Sequence, residues 1–267
     1  MTLVFIKLGG SILTDKTRPE ALDEQTLHRV IAELAAIRAA QPALRLMVGH
    51  GGGSFGHHWA RRYNTAQGIS GPEGWQGFAR VADAMARLNR HVVGALLDAG
   101  VPAIGLPPSA SARSNSGALV ELADSPLDAL IAAGVVPVIY GDVVVDERQG
   151  CAIISTETLF AYLAPRLGPE RIVLVGEAAV YTADPRRDTA AKPIVRIDSA
   201  NYESVLALLG GSHGVDVTGG MRSKVEAMWR LVNTLPGLTV QIVGPQPEPF
   251  RAAVLGEILP FGTTIAV

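Results

Sequence analysis

The chain has 267 residues, a formal net charge of −2, 48% hydrophobic and 18% charged residues. That is apolar material for a sizeable core, which excludes a disordered chain, and the near-neutral balance excludes the broad basic surface that nucleic-acid backbones require. The single cysteine, Cys151, excludes an internal disulfide and a cysteine-built metal centre. With no signal-type segment and no apolar span of ~20 residues, a cytoplasmic protein that binds neither membrane nor nucleic acid is expected.

In chain order, residues 3–8 read as a buried strand and 22–40 as a helix carrying Leu27, Val30, Ile31 and Leu34 at helical spacing. A strand over 44–48 precedes a glycine-rich run and a helix over 78–99, patterned by Val81, Met85, Leu88, Val92 and Leu96. Strands over 103–106 and 135–140 flank a helix at 127–133. A hairpin over 142–154, turning at 147–150, leads to a helix at 158–167 and a strand at 171–175. The stretch 180–197 reads as a hairpin or loop, 201–209 and 220–234 as helices, 239–243 as a strand and 245–250 as a loop. Strands alternating with helices predict an α/β fold with a mostly parallel sheet covered on both faces. Pro165-Arg166-Leu167-Gly168-Pro169 marks a boundary between lobes within one domain.

Lys7-Leu8-Gly9-Gly10-Ser11 closes the first strand, at the edge where parallel α/β sheets bind ligands. Glycines there let backbone N–H groups approach phosphate oxygens, and a lysine supplies compact positive charge. The same residues also suit a plain strand-to-helix turn. Gly49-His50-Gly51-Gly52-Gly53-Ser54-Phe55-Gly56-His57 holds five glycines among nine residues, a costly concentration unless the backbone must approach something closely. It matches neither the dinucleotide fingerprint nor a Walker A loop, and reads as a second anion cradle. His57 suits a contact to an acidic substrate; His50 suits a structural hydrogen bond or a ligand contact equally, and His58 a solvated helix position. The three histidines lack a metal-site spacing. Asp216-Val217-Thr218-Gly219-Gly220-Met221-Arg222-Ser223-Lys224 reads as a loop entering a helix, with Lys224 one turn in and Asp216 or Thr218 as cap. Lys7 and Lys224 together suggest a clamp for in-line phosphoryl transfer, with Mg²⁺ between nucleotide phosphates.

Lys7-Leu8-Gly9-Gly10-Ser11-Ile12-Leu13-Thr14-Asp15-Lys16, the run from His50 to His57, Tyr140-Gly141-Asp142-Val143-Val144 and Asp216-Val217-Thr218-Gly219-Gly220-Met221 with Lys224 resemble, in order, segments of the amino acid kinase superfamily, and within it the isopentenyl phosphate kinases. The resemblance implies a three-layer αβα sandwich over 1–267, with an acceptor-binding lobe at about 1–165, a nucleotide-binding lobe at about 166–267, and a homodimer. It implies that Lys7, Lys16 and Lys224 serve the transferring phosphoryl group and that His57 holds the acceptor's phosphate. Gly9, Gly10, Ser11, Gly52, Gly53, Gly56, Gly141, Ser155 and Glu157 would complete the phosphate and acceptor site. Tyr181, Asp184, Gly219 and Gly220 would join Lys224 around ATP, with Mg²⁺ held mainly by the nucleotide's phosphates and no protein metal site. The implied acceptor is isopentenyl phosphate, with dimethylallyl phosphate beside it, and Met85, Leu88, Val92 and Val93 are candidates for an apolar wall.

Two segments depart from the family pattern. Its Ser-Gly-Asp is Ser155-Thr156-Glu157 here, a carboxylate longer by one methylene, and its Asp-Val-Asp-Gly-Val-Tyr is Gly176-Glu177-Ala178-Ala179-Val180-Tyr181, without either aspartate. Alternatives are a related kinase of a small phosphonate such as fosfomycin, and a nucleotide-binding regulatory or storage protein with weak catalysis.

Overall fold

All six residues of β1 (Leu3–Leu8) are buried, Lys7 included, as befits a strand covered by helices on both faces. The structure is a computed structural model describing residues 2–15, 17–209, 220–257 and 261–267. The remaining strands are β2 (Arg45–His50), β3 (Ala103–Leu106), β4 (Ala112–Asn115), β5 (Ala118–Leu122), β6 (Val136–Tyr140), β7 (Asp142–Asp146), β8 (Gly150–Ile154), β9 (Arg171–Val175), β10 (Val180–Tyr181), β11 (Pro193–Ile194), β12 (Arg196–Ile197), β13 (Thr239–Val243) and β14 (Thr263–Ile265). The helices are α1 (Gly10–Leu13), α2 (Glu24–Ala40), α3 (Gly53–Arg62), α4 (Gly71–Asp98), α5 (Leu127–Ala132), α6 (Thr156–Leu167), α7 (Tyr202–Leu209), α8 (Gly220–Thr234) and α9 (Pro247–Leu255).

The main sheet runs β12-β14-β13-β9-β1-β2-β6-β3, with the six strands from β13 to β3 mutually parallel and β14 antiparallel to β13. From β1 the chain first builds outward through β2, then crosses back to β9 and β13 on the other side. Their connections leave in opposite directions, so a crevice opens at the carboxyl ends of β1 and β9. Strand alternation sorts the two faces. Leu3 and Phe5 pack with Leu159, Phe160 and Leu163 of α6 and Val225, Met228 and Leu231 of α8. Val4, Ile6 and Leu8 pack with Leu27, Val30, Ile31 and Leu34 of α2, Val92 and Leu96 of α4, and Phe250 of α9. The result is a three-layer αβα sandwich. A smaller sheet, β5-β4-β7-β8, packs beside it against α4. No helix among the described residues is long and apolar enough to cross a membrane.

Three sequence expectations change. Residues 245–250, read as a loop, contain the start of α9. Pro247 and Pro249 occupy its first turn, where N–H groups have no helical partner, so neither proline costs a bond, and Phe250 is wholly buried. The helix expected at 78–99 begins at Gly71, behind Pro72. The β4–β5 hairpin escaped notice because its strands are short and largely polar. Its two-residue turn has Ser116 and Gly117 at φ 51° and 80°, and the Asp146 carboxylate accepts from both their N–H groups.

Candidate active site

Period-two alternation puts Lys7 on the same face of β1 as Leu3 and Phe5, toward α6 and α8. There its Nζ forms a buried ion pair with Glu157, in the first turn of α6. Burial works to raise the Glu157 carboxyl, but the charges of Lys7 and then Lys224 outweigh it and hold the group below its ordinary range. Lys224 enters from the second turn of α8. A strand end and two helix starts, 150 and 217 residues away along the chain, thus bring two cations and one carboxylate to the mouth of the β1 crevice.

The glycine-rich run is not one loop. Gly49 and His50 belong to β2, Gly51 and Gly52 turn, and α3 begins at Gly53. The glycines serve contact between backbones. A Cβ on Gly10 would lie 2.3 Å from the Gly53 nitrogen, and one on Gly51 would lie 2.9 Å from the Gly10 nitrogen. Gly53, at φ 48°, would place its Cβ 2.1 Å from Thr14 Oγ1. The two turns after β1 and β2 are therefore interlocked, with a further tie where Ser54 N–H donates to Thr14 Oγ1 at 2.9 Å. Gly52 and Gly56 leave room for Met85, whose sulfur would be 3.0 and 2.7 Å from the added Cβ atoms.

His50 is structural. Its ring is fully buried and stacked on Tyr140 with centroids 5.1 Å apart, Nδ1 faces Gly51 O at 3.2 Å and Nε2 faces Asn89 Nδ2 at 3.2 Å. Burial lowers it to about 4, against the opposing Gly51 bond, so the neutral ring donates from Nδ1 and accepts at Nε2. His57 sits in the second turn of α3 on the cleft, while His58 packs edge-on against Trp59 and does not line it.

Thr156 staples the far wall: its hydroxyl donates to His50 O at 2.6 Å and accepts from Gly141 N–H at 3.0 Å. Next to it, Asp142 is almost wholly buried, accepts from Val143 N–H at 2.8 Å and Ser109 N–H at 3.1 Å, and lines the cleft. Burial pushes its carboxyl up to about 7, with the Ser109 and Val143 bonds only partly offsetting this. Sequence reasoning quoted Asp142 within a motif but gave it no role; its sign was an acidic residue between two buried apolar strands.

Two clefts meet here. The larger, with about 840 Å³ of open space, is bordered by Lys7, Gly9, Gly10, Ser11, Gly52, Gly53, Gly56, His57, Gly141, Ser155, Glu157 and Lys224, all named from the sequence. Its remaining lining includes the apolar residues Ala60, Val81, Met85 and Ile153. The expected wall changes accordingly: Met85 lines the cleft, but Leu88 and Val92 are wholly buried in core clusters and Val93 packs against one, so none of the three reaches it. The smaller cleft, about 360 Å³, lies toward Val175, Gly176, Glu177, Met221 and Ile242. Lys7, Gly9, Ser11, Glu157 and Lys224 border both.

Other candidates lie elsewhere. Tyr181 pairs in the small β10–β11 hairpin, and exposed Asp184 accepts from Arg186 N–H at 3.0 Å; neither borders either of these two clefts. Gly220 opens α8 at φ 66°. Lys16, Asp216, Val217, Thr218 and Gly219 fall outside the described residues.

Residues 2–244 match the model of the amino acid kinase family. The isopentenyl phosphate kinase of Methanothermobacter thermautotrophicus is 35% identical over 264 residues, 96% of each chain, and that of Haloferax volcanii 38% identical over 259 residues, again 96% of each. A solved isopentenyl phosphate kinase structure superposes with a TM-score of 0.82 at 32% identity, covering 98% of this chain and 100% of the other. With a two-cleft site at the β1 crevice and a family match across nearly its whole length, the chain belongs to the amino acid kinase family.

Proposed function

We propose that the protein transfers the γ-phosphoryl group of ATP to isopentenyl phosphate, yielding isopentenyl diphosphate and ADP. The observation that carries this reading is the pair of clefts sharing Lys7, Gly9, Ser11, Glu157 and Lys224. A phosphoryl group passing from a nucleotide in the smaller cleft to an acceptor in the larger would cross this shared frontier. An acceptor phosphate oxygen attacks the γ-phosphorus, the bond to the bridging oxygen breaks, and ADP departs with that oxygen's negative charge. The acceptor oxygen is already ionised at neutral pH, so the residues need only position and neutralise charge. Lys7 and Lys224 would face the equatorial oxygens, with Glu157 fixing Lys7. His57, with N–H groups around Gly52 and Gly53, would take the acceptor's own phosphate. Names borne by full-length relatives support the prenyl acceptor, as do the apolar lining residues Ala60, Val81, Met85 and Ile153.

In this reading residues about 1–165 supply most of the acceptor side and about 166–267 most of the nucleotide side. Mg²⁺ would arrive on the nucleotide's phosphates, screening their charge, because Asp142 and Glu157, the carboxylates of the larger cleft, are already engaged by backbone N–H groups and by Lys7. A cytoplasmic homodimer goes with the family resemblance and is checked by light scattering and fractionation. The deciding experiment follows ADP release from Mg-ATP with isopentenyl phosphate, dimethylallyl phosphate, fosfomycin and acetylglutamate as acceptors. The prenyl phosphates should turn over; no turnover with either defeats the reading.

A further inference from the structure

The connection between α1 and α2 folds back on itself: Asp15 N–H donates to Ala21 O at 2.9 Å, and Thr14 bridges Leu22. It is tied to the first turn of α3, where Glu20 N–H donates to Ser54 O at 3.3 Å and Ala21 N–H to Ser54 Oγ at 3.2 Å. Glu20 itself stands at φ 50°, a left-handed conformation that non-glycine residues hold only where their surroundings impose it. The imposing partners are visible. The Glu20 carboxylate accepts from the Trp59 indole N–H of α3 and is gripped through both oxygens by the Arg87 guanidinium of α4, with Nη2 to Oε1 at 3.0 Å. Arg87 is held in turn by Asp83 at 3.1 Å, and the Trp59 ring carries Arg80 and Arg62 over it, 5.5 and 5.8 Å from its centroid. The Arg87 bonds, more than the opposing partial burial, hold the Glu20 carboxyl below its usual range.

Two residues before Trp59 lies His57, and two before Arg87 lies Met85, so the helices joined by Glu20 both present lining residues, one polar and one apolar, to the larger cleft. We propose that Glu20 is a positioning residue for the acceptor: its carboxylate locks the α1–α2 connection to α3 and α4 and so sets the spacing between His57 and the Met85 wall. The pair is part exposed, with Arg87 44% and Glu20 23% accessible, so the lock can open and responds to salt. This role rests on the acceptor reading above.

The test uses the full-length protein and two variants outside the cleft lining. Glu20→Asn keeps a residue that tolerates left-handed backbone but removes charge and reach; Arg87→Met removes the partner. Trypsin cleavage after Lys16, followed by mass spectrometry, reads whether the connection is held, the Arg18–Pro19 bond being resistant to trypsin. Steady-state kinetics read the acceptor site. Cleavage should accelerate at least tenfold in both variants. The KM for isopentenyl phosphate should rise about tenfold, with the KM for ATP within twofold of wild type and the melting temperature little changed. Unchanged cleavage overturns the proposal. So does faster cleavage with unchanged acceptor KM, because the connection would then serve stability alone, as does a turnover loss that merely follows the folded fraction. If wild-type enzyme ignores prenyl phosphates, the acceptor assignment fails by itself, and the same two readouts are taken with whichever acceptor of the panel releases ADP.

Discussion

The two sides of the β1 crevice are built differently. On the β2 and β6 side, backbones touch: Gly10, Gly51 and Gly53 interlock, Thr156 clamps His50 O to Gly141, and His50 is held neutral under Tyr140. On the β9 and β13 side Gly9 is equally close, an added Cβ lying 2.9 Å from Val175 O, but Gly176 is looser. A Cβ on Gly176 would meet nothing nearer than the Gly9 Cα at 4.0 Å. The comparison teaches that glycine has two uses in one site. Beside β2 it permits close packing that rigidifies a cradle, whereas at Gly176 it simply leaves space. The absence of both family aspartates falls on that side, where Glu157 and Glu177 are the carboxylates that border the smaller cleft.

The largest effects should come from the shared frontier. Lys7→Met and Lys224→Met should each lower kcat by about 10²–10³-fold, the scale of losing one preorganised charge contact in a transition state. Binding of both substrates should change less, as steady-state ADP release with each substrate varied would reveal. Equal losses confined to one substrate's KM would instead assign that lysine to one side.

Stability separates the sides next. Gly53→Ala must strain a left-handed backbone and collide with Thr14, costing about 2–4 kcal/mol, whereas Gly176→Ala should stay within about 1 kcal/mol. Denaturant unfolding of the two variants checks this, and equal costs would erase the distinction drawn above. His57→Ala should raise the acceptor KM by about tenfold or more, matching loss of a hydrogen bond to a charged group worth about 1.5–3 kcal/mol, with the ATP KM and melting temperature preserved.

The last prediction concerns Asp142. Its folded carboxyl titrates at about 7, above the ordinary 3.8, so the folded state holds the proton more tightly than the unfolded one. The resulting stabilisation is complete below about pH 4 and is lost as pH rises through 7. Relative to wild type, Asp142→Asn should therefore gain about 2 kcal/mol between pH 5 and pH 8. Unfolding curves of both proteins at the two pH values measure it, and a constant difference would show that Asp142 is ionised throughout.

Much of the architecture was legible from local pattern. The spans 3–8, 103–106, 171–175, 239–243 and 220–234 coincide with the observed elements, because apolar periodicity and β-branched runs act over a few residues. The hairpin at 142–154 was equally readable from its turn. Elements whose signal is overwritten were missed: α3, whose start lies inside a five-glycine run, and α9, hidden behind two prolines at positions where helices accept them. Within the site, residue types and order pointed to Lys7, His57, Glu157 and Lys224, which the fold brings to one crevice. Asp142 carried only the mark of an acidic residue between apolar strands and Glu20 none, since one acts through burial and the other through partners 39 and 67 residues away.

What the sequence determined alone was therefore the alternation of strands and helices, the family and the chemical character of the crevice: cationic, glycine-lined and backed by apolar residues. Tertiary structure decided what each residue does there. Whether a glycine faces a ligand or a neighbouring turn, whether His50 carries charge, and which side of α4 reaches the cleft depend on contacts between segments distant in sequence. Burial and pairing reset the energy of a backbone or an ionisable group only once those segments meet.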